Sequence, residues 1–157
     1  MAHDVLIVDD EADIRLMIAG VLEDEGYVCR GAATSQEALA AVRDRAPSVV
    51  LLDIWLENSA QDGLELLETI VAEDPYIPVV MISGHGTIES AVRAIQNGAH
   101  DFIEKPFQSD RLVVCVERAA EAGVLRRENA ELRLRAGREA ELVGESQPIQ
   151  QLRQSID

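Results

Sequence analysis

Residues 49–53, VVLLD, are an apolar run that ends in a carboxylate, and residues 5–11, VLIVDDE, repeat the pattern with three acidic residues. Two later runs also end in polar groups: residues 79–84, VVMISG, reach a hydroxyl, and residues 102–106, FIEKP, reach a lysine and a proline. Strands of a parallel sheet are buried on both faces and have continuous apolar sequences of this kind. Their carboxyl ends open on one edge, so the sequence predicts an edge that carries aspartates, a serine and a lysine.

Segments with a helical apolar period separate these runs. The first segment has apolar residues at positions 14, 17, 18, 21 and 22 and stops before Gly26. A weaker run at residues 27–31 predicts a strand at the edge of the sheet. The whole pattern predicts an α/β fold: a flavodoxin-like, doubly wound, parallel sheet of five strands in the order 2-1-3-4-5, with five helices. In that order the ends of the first and third strands bring Asp9, Asp10 and Asp53 together.

The composition predicts one domain with an aliphatic core and an appendage. The chain has 157 residues, of which 47% are hydrophobic and 3% aromatic. No apolar run is long enough to span a bilayer, and the first four residues do not resemble a signal peptide. Cys29 and Cys115 lack metal-ligand spacing, so we expect buried free thiols in a cytoplasmic protein.

The acidic charge is concentrated in the first 121 residues. The net charge is −15, with 23 acidic and 8 basic residues in 1–121, and 6 of each in 122–157. Such an acidic domain would repel phosphates, so we predict no nucleic-acid contact for this segment. The lack of a spanning apolar run predicts no membrane partner.

The three predicted edge aspartates favour a bound divalent cation. Carboxylates that lie close together repel one another, and an open set of oxygen ligands suits Mg²⁺. We predict Asp10 and Asp53 as direct ligands, Asp9 as a ligand through water, and the backbone carbonyl of Trp55 as a further ligand. The alternative for Asp9 or Asp10 taken alone is a cap for the first helix.

Asp53 is the predicted nucleophile, because a carboxylate can accept a phosphoryl group as an acyl phosphate. Lys105 would offset the charge of that group and Ser83 would donate a hydrogen bond to it. The alternatives are a turn residue at Ser83 and a solvated surface lysine at position 105. Lys105 is the sole lysine in a chain that otherwise uses arginine, which favours a specific use of its compact charge.

The set formed by Asp9-Asp10, Asp53, Ser83 and Lys105-Pro106 resembles the receiver domain of bacterial response regulators over residues 1–121. The resemblance implies phosphorylation of Asp53 by a sensor histidine kinase. It also implies that Phe102 is an aromatic switch residue, and the alternative for Phe102 is an ordinary core aromatic.

Residues 83–87, SGHGT, and 99–107, AHDFIEKPF, resemble NtrC-type regulators, which activate sigma-54-dependent transcription. The longer loop after Asp53, which lacks a proline, resembles that of the NtrX branch. We expect Trp55 in this loop to cover the site partially. Residues 142–157 resemble the start of the AAA+ module of these regulators, and no Walker A loop is present. The resemblance implies DNA and sigma-54 polymerase as partners of a full-length protein.

A linker helix is predicted after the receiver. Residues 115–136 fit a short heptad pattern with Leu125, Asn129 and Leu132 at its seam, which predicts a helical linker over 122–141 and a homodimer. A solvated linker is the alternative, because five arginines face two glutamates between Arg126 and Arg138. We expect no large exposed apolar patch on the receiver itself.

Three other classes of function compete with a receiver. An FMN protein would need a phosphate-binding first loop, which the acidic residues 9–11 would disfavour. A haloacid-dehalogenase-type phosphatase would need an Asp-x-Asp pattern at the first strand, and this chain lacks one. A non-phosphorylated interaction or dimerisation module of the same fold would not require all of the site residues.

Overall fold

The computed structural model describes residues 3–56, 59–84 and 88–143. Strands and helices alternate along the chain, as the sequence predicts. The elements are β1 (Asp4–Val8), α1 (Ala12–Asp24), β2 (Val28–Ala32), α2 (Ser35–Asp44), β3 (Val49–Asp53), α3 (Gly63–Glu73), β4 (Val79–Ser83), α4 (Ile88–Gln96), β5 (Asp101–Glu104) and α5 (Ser109–Val143).

The five strands form one parallel sheet in the order β2-β1-β3-β4-β5, which confirms the predicted topology. The register aligns the carboxyl ends: Val8 pairs with Leu52, Asp53 pairs with Ile82, and Ser83 pairs with Glu104. The residues that follow these ends therefore share one edge of the sheet. The weaker strand β2 lies at the side of the sheet, as predicted.

Alternate residues of the central strands fill two apolar layers. Val5, Ile7 and Leu51 pack with α1 and α5 on one face, whereas Leu6, Val50 and Leu52 pack with α2 and α3 on the other. All six side chains are 0–1% exposed. Burial on both faces is the reason these strands have continuous apolar sequences.

The start of α3 is held tightly against the end of β3. Asp62 forms a capping box with Glu65, and the Gly63 N–H donates to the Ile54 carbonyl at 2.9 Å. A Cβ on Gly63 would lie 2.6 Å from Ile54 Cα and closer still to the Asp53 carbonyl oxygen. Only glycine fits this approach of two backbones, which fixes the loop that follows Asp53.

Helix α5 spans Ser109–Val143, as long a helix as the sequence predicts, and the chain divides into two units, Met1–Val124 and Leu125–Asp157. Gly123, within the first unit, is buried close to Pro78, where an added Cβ would lie 3.0 Å from the proline Cδ. The predicted domain limits of 1–121, 122–141 and 142–157 stay a prediction, and residues 144–157 lie outside the described part.

Two further expectations concern the thiols and the membrane. Cys115 is buried and Cys29 is half-buried, and both are free thiols. Burial, followed by the charges of Glu23 and Asp4, raises the pKa of Cys29 to about 11, so it is an unreactive thiol at neutral pH.

Among the described residues, no helix combines the length and apolar character needed to cross a bilayer.

Candidate phosphoacceptor site

The three predicted aspartates meet at the carboxyl edge of the sheet. One carboxylate oxygen each from Asp9, Asp10 and Asp53 lies within 4.8 Å of the others. Asp9 and Asp53 are 1% and 6% exposed, and Asp10 is half-buried. A set of oxygen ligands that includes two buried carboxylates suits a hard divalent cation such as Mg²⁺.

Asp9 is held by four hydrogen bonds. Its N–H donates to the Ala32 carbonyl at 3.1 Å, and its carbonyl accepts from the Arg15 guanidinium at 2.6 Å. Its carboxylate accepts from the Glu11 N–H at 2.9 Å and from Lys105 Nζ at 3.1 Å. Glu11 is the N-cap of α1 and makes no cap bond with its own side chain. Asp9 therefore supports the first turn of α1 and also faces the site.

Asp53 lies between a second carboxylate and the lysine. Its Oδ1 accepts from the Trp55 N–H at 3.2 Å, and its Oδ2 lies 3.5 Å from Lys105 Nζ. Burial and the charge of Asp9 raise the pKa of Asp53 from 3.8 to about 6, against the opposing charge of Lys105 and the bond from Trp55. Asp53 is thus mainly ionised at pH 7 but is held there at an energetic cost.

Lys105 bridges both buried aspartates, and its peptide bond to Pro106 is cis. Burial lowers the pKa of Lys105, but the charges of Asp53 and Asp9 outweigh burial and raise it. The ammonium group is therefore charged and directed into the site, which contradicts the alternative of a solvated surface lysine.

Ser83 and Phe102 occupy the neighbouring strands. Ser83 is fully buried at the end of β4, and its carbonyl accepts from the Lys105 N–H at 2.7 Å. Phe102 in β5 is half-buried and packs against the apolar layer that contains Met81. The predicted switch also includes the loop from Gly84 to Thr87, of which positions 85–87 lie outside the described residues.

A cavity of about 270 Å³ opens above these side chains. It is lined by Asp10, Glu11, Ile14, Asp53, Trp55, Gly84 and Lys105. Trp55 lines this cavity and is 57% exposed, and its partial cover of the site stays a prediction. Glu11 and Ile14 were not singled out from the sequence, although the third acidic residue of the 9–11 run marks Glu11. Residues 57 and 58 of the longer loop are outside the described part.

Comparisons with known proteins identify the family. The model of the response regulator receiver domain matches residues 5–117. The nitrogen assimilation regulatory protein NtrX of Azorhizobium caulinodans is 57% identical over 157 residues, which cover 100% of this chain and 34% of that protein. The chain therefore spans about a third of the length of this curated relative.

Comparison with solved structures identifies the same family. The crystal structure of the receiver domain of NtrX from Brucella abortus has a TM-score of 0.73 and 59% identity, covering 75% of this chain and 98% of that chain. The beryllofluoride-activated NtrC4 receiver domain dimer, solved in solution, has a TM-score of 0.72 and 36% identity, covering 76% and 98% of the two chains. This chain belongs to the response regulator receiver family, as a phosphoacceptor signalling domain of the NtrX and NtrC type.

Proposed function

We propose that this chain accepts a phosphoryl group on Asp53 from a sensor histidine kinase with the aid of Mg²⁺. In this role it controls a sigma-54-dependent activator of nitrogen-regulated genes in the cytoplasm. The placement of Asp53 supports this proposal most directly: its carboxylate lines an open cavity between an acidic pair and the chain's sole lysine. The ion would be held by Asp9, Asp10, Asp53 and the Trp55 carbonyl. When bound, it would offset the negative charge of the phosphoryl group.

The chain's own groups fit transfer to a carboxylate. An oxygen of Asp53 attacks phosphorus, a new O–P bond forms, and the P–N bond to the donor histidine breaks as the imidazole leaves. Lys105 lies within 3.5 Å of the nucleophilic carboxylate and offsets charge on the transferred group. Ser83 would donate a hydrogen bond to a phosphoryl oxygen. The product is an acyl phosphate.

A kinase could approach through an apolar groove beside the cavity. A second cavity of about 410 Å³ is lined by Ile14, Met17, Gly84, Lys105, Pro106 and Phe107. It shares Ile14, Gly84 and Lys105 with the Asp53 cavity. Met17, which lines the second cavity, is 48% exposed. A helix carrying the donor histidine could rest on this apolar surface and present its phosphoryl group to Asp53.

We expect Asp53 to be the sole phosphoacceptor. Incubation with acetyl phosphate and Mg²⁺ should add the mass of one phosphoryl group, and Asp53→Asn should abolish the addition because its amide is a poor nucleophile. Asp44→Asn, an exposed carboxylate at the end of α2, is the control and should label like the unmodified chain. Full labelling of Asp53→Asn would contradict the assignment. Absence of labelling in the unmodified chain would favour the interaction-module alternative.

We expect Mg²⁺ to bind through Asp10 and Asp53. Trp55 lines the same cavity and its N–H bonds Asp53, so its fluorescence should report the titration. Asp10→Ala should weaken binding by about tenfold or more, because one of the three predicted direct ligands is lost. An unchanged titration curve would rule out Asp10 as a ligand, and Asp44→Asn again serves as the control.

We propose that phosphorylation acts on the face of α4, β5 and α5 through Ser83 and Phe102. Drawing the Ser83 hydroxyl toward the phosphoryl group would free space that the half-buried Phe102 can occupy. This face has the exposed apolar surface that the sequence led us not to expect. Ile88, Val92 and Ile95 on α4 are 84%, 48% and 49% exposed at helical spacing. The surface suits contact with a second copy of the chain.

We expect dimerisation to need both this face and the linker. Leu125 and Leu132 of the predicted seam are 65% and 61% exposed on α5, and so short a seam is marginal alone. Sedimentation of the full chain with beryllofluoride and Mg²⁺ should show a dimer. A version that ends at Val124 should dimerise more weakly. Monomers throughout would show that neither surface dimerises this chain.

A further inference from the structure

Arg15 of α1 reaches back to the acidic pair. Its Nη1 donates to the backbone carbonyl of Asp9 at 2.6 Å, although six positions separate the residues. The Asp9 carbonyl follows the last residue of β1 and precedes Asp10, so this bond fixes the peptide that joins the two aspartates. A guanidinium, with its planar set of donors, holds a carbonyl in a more defined direction than an ammonium does.

Gly31 provides the room for this side chain. A Cβ on Gly31 would lie 3.3 Å from Arg15 Cδ, which is tighter than ordinary contact, and 3.5 Å from its Nε, which is ordinary van der Waals contact. Gly31 is in the exposed part of β2, beside Ala32, whose carbonyl accepts the N–H of Asp9. An added Cβ at position 31 would therefore require the Arg15 side chain to shift by a few tenths of an ångström, and it would not enter the apolar core.

We propose that Arg15 is a positioning residue for the acidic pair, held in place by the space at Gly31. This inference rests on the proposed Mg²⁺ site and assigns part of its geometry to a residue that does not contact the ion. The Arg15 bond keeps the peptide between Asp9 and Asp10 in the orientation that brings the three carboxylate oxygens within 4.8 Å of one another. Residues that orient metal ligands typically change metal affinity by about tenfold or more.

Charge and geometry predict opposite results for Arg15→Met. Removing a positive charge beside three carboxylates would, by charge alone, tighten Mg²⁺ binding. Loss of the carbonyl bond should instead weaken it, and we expect the dissociation constant to rise about tenfold. Arg15→Lys keeps the charge, so any weakening in that variant is geometric. Both constants are measured by Trp55 fluorescence.

Gly31→Val tests the same contact from the other side. Valine suits an exposed strand position, so thermal stability should stay level or rise, whereas Mg²⁺ affinity should fall with the displacement of Arg15. If the contact between Gly31 and Arg15 served only to stabilise the fold, Gly31→Val would instead lower the thermal stability and leave the Mg²⁺ affinity unchanged. Gly20→Ala, with nothing near its added Cβ, is the control for both measurements.

Amide hydrogen exchange without metal supplies an independent readout. The Asp9 and Glu11 N–H groups, which bond Ala32 and the Asp9 carboxylate, should exchange about tenfold faster in Arg15→Met and Gly31→Val. Amides of β4 should not change. If the unmodified chain did not bind Mg²⁺, the proposed function would be refuted. Amide hydrogen exchange without metal would still decide the role of Arg15. Unchanged exchange at both amides, or an Arg15→Met dissociation constant at or below that of the unmodified chain, would overturn the inference.

Discussion

Gly63→Ala should destabilise the domain by about 3 kcal/mol or more and abolish phosphorylation of Asp53. The added Cβ would lie 2.6 Å and 2.7 Å from Ile54 Cα and its carbonyl oxygen, and closer to the Asp53 carbonyl. All three atoms are backbone, so no side-chain rotation can relieve the overlap. Either α3 separates from β3, with loss of the Gly63–Ile54 hydrogen bond, or the strand end that carries Asp53 shifts.

Urea unfolding followed by circular dichroism measures the first effect, and labelling with acetyl phosphate measures the second. Gly20→Ala is the matched control, because Gly20 is exposed inside α1 and its added Cβ meets no atom within 4 Å. That variant should be more stable by about 0.5–1 kcal/mol, since alanine loses less backbone entropy in a helix. Equal stability of the two variants would show that β3 and α3 are not fixed to each other as described.

The sheet and its acidic edge could be predicted because both depend on local pattern. Four apolar runs identify buried parallel strands, and the polar residue that ends each run must lie at the same edge. Asp9, Asp10, Asp53, Ser83 and Lys105 are therefore recoverable from the order of the strands. Their proximity needs no knowledge of side-chain packing.

Features that depend on contacts across the fold could not be predicted in this way. The sequence shows an Asp62-Gly63 pair at the end of the loop after Asp53 but does not show the backbone that Gly63 meets. Nothing local connects Arg15 with Gly31, because their contact arises from the packing of α1 over β2. The exposure of Ile88, Val92 and Ile95 also escapes the pattern, since an apolar stripe predicts burial unless a partner surface is known.

The electrostatics of the site connect stability with function. Asp9 and Asp53 are almost fully buried, and Lys105 contacts both, yet the pKa of Asp53 is still raised to about 6. One ammonium therefore does not balance the two buried carboxylates. The excess negative charge favours an added cation, and it makes the acidic edge a source of instability at neutral pH.

Asp53→Asn should therefore be more stable than the unmodified chain at pH 7 without divalent cations, by roughly 2–3 kcal/mol. The folded chain holds a proton on Asp53 up to about pH 6, whereas an unfolded aspartate loses it near 3.8. The stability that this carboxyl contributes thus falls as pH rises from about 4 to 6 and stays low above. The neutral asparagine avoids this loss. The difference in unfolding free energy between Asp53→Asn and the unmodified chain should therefore be roughly half as large at pH 5 as at pH 7.

Urea unfolding at pH 5 and pH 7 with a chelator measures the gap, and Asp44→Asn should stay within about 0.5 kcal/mol of the unmodified chain. Added Mg²⁺ should then stabilise the unmodified chain in proportion to the logarithm of its concentration and leave Asp53→Asn almost unchanged. The gap at pH 7 would close as the ion replaces the missing positive charge. An Asp53→Asn chain that is no more stable at pH 7, or a gap that does not narrow at pH 5, would mean that Lys105 already balances the buried carboxylates.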